Sequence, residues 1–396
     1  MPGALDGITV LDLSTLVQGP QAAAMLHDMG AAVIKVELPG IGDVGRHVSP
    51  VPESGRSGVF VACNRGKRSI TVDLHTDGGQ AILRRLAARA DVLISNFAPG
   101  TLDRWELGYT DLAEVNPRLI WAAGSYLGSD GPESGREGAD MAGQAYGGLI
   151  STTGTDGGPM TPVGVLVADH CGAQNLTTGI LGALYARERT GRGQRVDVSL
   201  LGGQVWLQAS ELTHLLLTGD QAGRSNGGHP LVHALYGIFP TEDGYLAIAG
   251  CPEHLWPGML RAVERPDLAD HPRFGRSLVT SEVRDELCEV FAGIFAGRTT
   301  AAWCERLAAE HQRFAPVRSH TEVVGDAQAV ANGYLADVDH PEWGPQRIIG
   351  NPIRMSHTPT VPGVVAPELG QHTEEILLEA GYDWDDISRF RDAGAI

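Results

Sequence analysis

An open parallel α/β sheet covered by helices, followed by a smaller α+β region, is the fold class this sequence predicts. Apolar, branched runs alternate with helix-like segments through roughly the first half of the chain. A stretch rich in Gly, Ser and Asn, from Gly219 to His229, then leads into a region with its own short strands and helices. The length of 396 residues exceeds what one ordinary hydrophobic core serves, so two domains are expected.

ITVLDLS is the first strand, Pro20 to Met29 has helical character and AAVIKVE is the second strand, which makes a βαβ unit. SITVDL, a helix from about Thr76 to Ala90 with Thr76 as N-cap, DVLISNF and RLIWAAGS continue the alternation. The first βα junction, DLSTLVQGPQAA, lacks the Gly-x-Gly-x-x-Gly pattern, which disfavours a nicotinamide or flavin dehydrogenase. GSYLGSDGPESGREGAD reads as a long surface loop bordering a site.

VGVLVAD then reads as a strand ending at Asp169, followed by a helix over Asn175 to Arg189 that Gly191 closes. RVDVSLL is a further strand, and one long amphipathic helix covers Trp206 to Leu217. In the second region IFPT and GYLAIAG are joined through Asp243 and Gly244, with helices over Val283 to Ala296 and Thr300 to Glu310. From about Leu335 the chain is Pro-rich and irregular until GQHTEEILLEAGY, a helix with Thr373 as cap and Gly381 as terminator.

Composition narrows the function. A formal charge of -18 repels nucleic acid and anionic membrane, so an anionic ligand needs a local basic site. No stretch approaches the roughly 20 apolar residues of a membrane span and no signal peptide is apparent, so a cytoplasmic address is expected. Cys63, Cys171, Cys251, Cys288 and Cys304 are dispersed and odd in number, which reads as reduced thiols. His229 and His233 are separated by Pro230, no paired-carboxylate or HExxH pattern occurs, and no bound metal is expected.

Several residues are candidates for chemistry. Asp169, between an apolar run and a helix, suits either a nucleophilic carboxylate or a structural cap, and pattern alone leaves both open. Only two lysines, Lys35 and Lys67, stand against 28 arginines, and a phosphate contact and an internal ion pair both fit them. Arg65, Lys67 and Arg68 in NRGKRS, with Arg104 in NFAPGTLDRWELGY, are the basic clusters beside turns, where solvated surface charge is the alternative. Gly227 and Gly228 in SNGGHP suit a mobile lid or an ordinary turn.

Taken together, LDGITVLDLS, LHDMGAAVIKVELPGIGD, NRGKRSITVDL, SNFAPGTLDRWELGY, NPRLIWAAGS, PVGVLVADHCG, ALYARERTGRGQRVDVSL, TEDGYLAIAG and LGQHTEEILLEAGY, in that order, resemble the class III CoA-transferase family across nearly the whole chain. That resemblance implies a Rossmann-like large domain formed by both chain ends, an inserted small α+β domain and an interlocked homodimer. The corresponding boundaries are 1–200 and 331–396 for the large domain, 201–225 for a linker helix and 226–330 for the small domain.

The resemblance also implies an enzyme that moves CoA from an acyl-CoA to a carboxylic acid, with CoA thioesters as substrates and no permanent cofactor. Its nucleophile falls on Asp169, with an aspartyl anhydride and an aspartyl-CoA thioester as intermediates, Gln18 faces the acyl group, and Gly227 and Gly228 form a lid that excludes water. CoA-lining positions fall on Asn96, Phe97 and Arg104, with Val72, His75, Arg65, Lys67 and Arg68 near the nucleotide and Arg136 as a further candidate where relatives carry a loop lysine. The chain departs from the family pattern at Leu38, Ala98 and Glu137, where relatives carry basic residues. An acyl-CoA racemase or epimerase of the same fold is the nearest alternative, but its His is replaced by Ala139 before Asp140; a non-catalytic CoA-binding subunit is the other.

Overall fold

A computed structural model describes residues 2–52 and 54–396. The chain divides into two compact units, Met1–Gly147, Gly164–Leu207 and Asp326–Ile396 in one, and Gly148–Val163 and Gln208–Gly325 in the other. Residues 148–163 thus lie with the second unit, although the sequence offered no sign of it.

The first unit is built on six strands, β1 (Thr9–Asp12), β2 (Ala32–Glu37), β3 (Arg68–Thr71), β4 (Val92–Ser95), β5 (Ile120–Ser125) and β6 (Arg195–Ser199). They form one parallel sheet in the order β3-β2-β1-β4-β5-β6. Helices α1 (Gln18–Asp28), α2 (Gly58–Asn64), α3 (Asp77–Ala87), α4 (Tyr109–Val115), α5 (Asp140–Tyr146), α7 (Val167–Thr190) and α8 (Leu200–Leu207) accompany it. The second unit holds α6 (Leu149–Thr152), α9 (Ala209–Thr218) and an antiparallel sheet of β7 (Tyr236–Pro240), β8 (Tyr245–Ala249) and β9 (Phe314–Pro316). With them go α10 (Trp256–Ala262), α11 (Ser281–Phe295), α12 (Thr300–Ala309) and α13 (His320–Val324). The chain returns to the first unit through α14 (Ala327–Ala331), the hairpin β10 (Leu335–His340) and β11 (Gly344–Ile349), α15 (Thr373–Glu379) and α16 (Trp384–Asp392).

The apolar runs of the first unit are strands buried on both faces, as a helix-covered parallel sheet requires. Leu11, Ile34 and Leu93 point into one core, shared with Leu83 of α3 and Ile376 of α15. Val10, Val33 and Ile94 point into the other, shared with Leu26 of α1 and Leu176 of α7. The second unit has a separate aromatic core around Phe239, Trp256, Phe291, Phe295 and Trp303. Thr76 caps α3 as expected, accepting from the backbone of Gly79 at 3.0 Å.

Four expectations are corrected. VGVLVAD is no strand: Asp169 lies in the first turn of the 24-residue helix α7, because the donors of that turn are satisfied by a side chain from α5 rather than by a local cap. Trp206 to Leu217 is two helices, α8 and α9, interrupted at Gln208. Thr373 does not cap α15; its hydroxyl instead accepts from the backbone of Thr71, tying that helix to the sheet edge. Residues 335–349, read as irregular, pair as a hairpin whose alternating burial a Pro-rich composition concealed.

Candidate active site

The strand order reverses between β1 and β4, and in open α/β sheets ligands bind outside the carboxyl ends of the strands at such a reversal. A cleft of about 670 Å³ opens there. Its walls come from the segments after β1 (Ser14 to Leu16), β2 (Leu38), β3 (Val72 to His75), β4 (Asn96 to Pro99) and β5 (Ser125 and Tyr126), closed by Arg136 to Gly138. The two central loops are clamped together: Asn96 donates to the Thr15 carbonyl and accepts from the Thr15 amide, both at 2.8 Å. Leu16, with φ at +66°, turns the chain sharply toward α1, a backbone state costing on the order of 1 kcal/mol for a leucine.

Of the residues expected to hold CoA, Val72, His75, Asn96, Phe97 and Arg136 line this cleft. Arg104 is exposed and donates to Thr101, which lines the rim. Aromatic edges form one wall, with His75 against Trp105 at 4.9 Å and Phe97 against Trp105 at 6.4 Å. His75 is held by Asp73 through Nδ1 at 2.7 Å.

The NRGKR stretch does not join them. Lys67 is fully buried and donates to Asp12 (2.7 Å), the Pro20 carbonyl (2.8 Å) and Asn64 (2.8 Å). Arg65 grips Asp28 with both terminal nitrogens, and Arg68 pairs with Glu375 and Glu379 on the outer side of α15. Buried pairs hold Lys67 and Arg65, surface pairs hold Arg68, and none of the three lines the cleft, against the expectation of nucleotide contact. Lys35, also fully buried, meets Asp43 at 2.7 Å and Asp12 at 3.7 Å. Burial pushes the Asp12 carboxyl up, but Lys35 and Lys67 outweigh it and hold Asp12 below the usual carboxylate range.

Asp169 projects from the first turn of α7, and burial, with the charge of Asp140 second, pushes its carboxyl up to about 7. Gln18, the first residue of α1, is almost wholly buried at 4% exposure. Its side chain occupies a slot between two glycines: a Cβ on Gly124 would stand 2.3 Å from Gln18 Oε1, and one on Gly172 would stand 2.7 Å from Gln18 Nε2. Gly172 lies three residues beyond Asp169 on α7, so the Gln18 amide rests against the helix that carries it. Nε2 is buried with no hydrogen-bond partner, a condition that costs about 1–3 kcal/mol and leaves a donor in reserve for a ligand oxygen. Sequence reading missed Gly124, whose only sign was a glycine at a strand's carboxyl end, and took Asp140 only as the neighbour of a racemase's lost His, not as a group beside Asp169.

Gly227 and Gly228 belong to the second unit, where Gly227 has φ at +76°. A Cβ on Gly228 would meet the Tyr236 carbonyl at 2.6 Å and Nη2 of the buried Arg284 at 2.8 Å, so close packing alone already accounts for a glycine there. Among the described residues no group of three or more His, Cys, Asp and Glu has the arrangement of a metal site, and no helix is long and apolar enough to cross a membrane.

A family model described as CoA-transferase family III matches residues 5–373. The chain belongs to CoA-transferase family III. This family III chain is 38% identical to a succinyl-CoA:mesaconate CoA-transferase of Haloarcula hispanica, over 96% of its own length and 97% of that protein's. It is 33% identical to the succinyl-CoA:glutarate CoA-transferase of Mus musculus, covering 99% and 90% of the two chains. Among solved structures, a CAIB/BAIF family protein from Brucella suis superposes with a TM-score of 0.84 at 32% identity, covering 96% of this chain and 100% of that one. The family III chain therefore matches named CoA-transferases over nearly its full length and shares its fold with a CAIB/BAIF family protein.

Proposed function

We propose that this protein transfers CoA from succinyl-CoA to a short dicarboxylate through covalent intermediates on Asp169. The observation that carries the reading is Asp169 itself, a half-buried carboxylate at the head of α7, on the same helix face as the unpartnered amide of Gln18. A carboxylate with a pKa near 7 is about half ionised in neutral solution and more basic than a solvated one, which suits a nucleophile. The substrate class is supported by the relatives, whose named acids, mesaconate and glutarate, are dicarboxylates.

An oxygen of Asp169 attacks the thioester carbonyl, the C–S bond breaks, and CoA leaves as thiolate from a mixed anhydride. The thiolate then attacks the Asp169 carbonyl carbon, expelling succinate and leaving an aspartyl-CoA thioester. The acceptor carboxylate repeats the two steps in reverse and regenerates the Asp169 carboxylate. The Gln18 amide donates to the oxyanion that develops at each addition, a contribution of the order of 10²–10³-fold in rate. Anhydrides hydrolyse, so water must be kept out while they persist.

CoA occupies the cleft at the strand ends, its base against His75, Phe97 and Trp105 and its phosphates toward Arg104 and Arg136, since Leu38 and Glu137 leave those two arginines as the rim's cations. In this Rossmann-like arrangement the functional particle is an interlocked homodimer. Exposed Trp206 on α8 and exposed Leu216 and Leu217 on α9 are apolar surface that a second copy would cover.

The test is intact-protein mass spectrometry after mixing with succinyl-CoA and quenching with hydroxylamine. A hydroxamate on Asp169 in the wild type, and transfer at least about 10³-fold slower in Asp169→Ala, are expected. Substantial transfer by that variant would overturn the covalent route. Exchange of an α-proton with solvent and no adduct would point to the racemase, and CoA binding with no turnover on any donor would point to a non-catalytic subunit.

A further inference from the structure

Asp140 is the first residue of α5, buried to 5% exposure, and has no cationic partner among the described residues. Its Oδ1 accepts from the backbone amides of Ala168 (2.7 Å) and Asp169 (3.3 Å), and its Oδ2 accepts from Gln144 Nε2 at 2.6 Å. These two amides are orphan donors of the first turn of α7, the ones a local N-cap would ordinarily satisfy. Leu166, at the cap position, offers no side-chain oxygen, so the cap comes from a helix 28 residues earlier. The approach is close: a Cβ on Gly143, one turn along α5, would stand 3.0 Å from the Ala168 side chain.

An ionised carboxylate at a helix N-terminus is normally favoured by the free amides and by the dipole. Asp169 occupies that location but does not receive that benefit, because Asp140 has taken the donors and set its own charge there. The other groups around this turn do not offset it. On α7 itself the neighbours are His170, bonded to Gln21, and Cys171. From α1 the nearby polar side chains are the amides of Gln18 and Gln21, with His27 and Asp28 at the far end of that helix, and α8 carries no titratable side chain.

We infer that Asp140 is a positioning residue: its carboxylate anchors the first turn of the Asp169 helix and keeps beside the nucleophile a negative charge that adds to burial in disfavouring the nucleophile's ionised form. This rests on the proposed role of Asp169. Burial with Asp140 next in weight raises the Asp169 carboxyl, as the geometry requires. The consequence for chemistry is a more basic and so more reactive carboxylate, at the cost of its protonated fraction below neutrality.

The test is direct titration of Asp169 by carboxyl-carbon NMR of aspartate-labelled protein, its resonance assigned by loss in Asp169→Asn, together with the pH profile of kcat/KM for succinyl-CoA. In the wild type the Asp169 resonance is expected to titrate near neutrality. Asp140→Asn and Asp140→Ser keep a capping oxygen and remove the charge, and in either the proton affinity of Asp169 should fall about tenfold, moving the acid limb of kcat/KM the same way. A wild-type resonance that titrates in the ordinary aspartate range, or a folded Asp140→Asn with both midpoints unchanged, would overturn the inference. If the resonance follows Asp140 while the wild type yields no adduct with succinyl-CoA, this inference stands and the transferase reading falls.

Discussion

Beneath the cleft, Asp12 and Asp43 face Lys35 and Lys67, two anions against two cations with every side chain fully enclosed. At the head of α7, Asp140 and Asp169 face each other, and neither forms an ion pair among the described residues. The first group is balanced, so Lys35 and Lys67 keep Asp12 below the usual carboxylate range, and the group's work is to tie β1, β2 and α2 together. The second is unbalanced, so one member is forced toward neutrality. Charge that is satisfied makes scaffold, and charge left unsatisfied makes a reactive group.

The largest effect that breaks this comparison is expected from Lys67→Met. Leaving Asp12 buried with Lys35 alone, at 3.7 Å, should lower stability by about 3–5 kcal/mol in urea unfolding, and Asp12→Asn in the same chain should recover much of it. A recovery of nothing would mean that Lys67 acts through packing.

The second variant reverses the sign. Asp169 has a folded-state value of about 7 against 3.8 for the free group, so the folded protein holds that proton more tightly than the unfolded chain. Wild-type stability is therefore lost as pH rises from about 4 to about 7, while Asp169→Asn loses none of it. The variant should be nearly as stable as wild type at pH 4 and, discounting for residual exposure, about 3 kcal/mol more stable at pH 8. Equal stabilities at pH 8 would show that the unbalanced pair carries no cost.

The smallest effect sharpens the comparison at the slot between the groups. Gly124→Ala pushes a Cβ to 2.3 Å from Gln18 Oε1 and should displace the amide, slowing adduct formation on the order of 10²-fold with CoA affinity retained. An unchanged rate would remove Gln18 from the mechanism.

Most of the scaffold was legible because it rests on local signals. ITVLDLS, AAVIKVE and DVLISNF carry continuous apolar runs, and Thr76 stands directly before the helix it caps. The positions of Val72, Asn96 and Phe97 followed from family motifs that fall at strand ends. What was hidden depends on distant partners. Lys67 is structural because of Asp12, 55 residues away, and the first turn of α7 is a helix because Asp140 caps it from another element. By contrast α16 was announced by Asp383 and Asp386, a capping box three residues apart that went unread.

The edge strand β3 is completed by residues that arrive some three hundred positions later: Thr71 donates its backbone amide to the Thr373 hydroxyl, Asp73 donates to the Ala395 carbonyl, and Arg85 and Arg89 of the α3 segment hold the carbonyls of Ala380 and Glu379. During synthesis on the ribosome, the half-built sheet must therefore wait, with Leu83 and Ile70 lacking the cover of Ile376 and Leu377, until α15 has also emerged. Such a long closure is slow, and it leaves that apolar face uncovered over the whole interval between the third strand and the fifteenth helix.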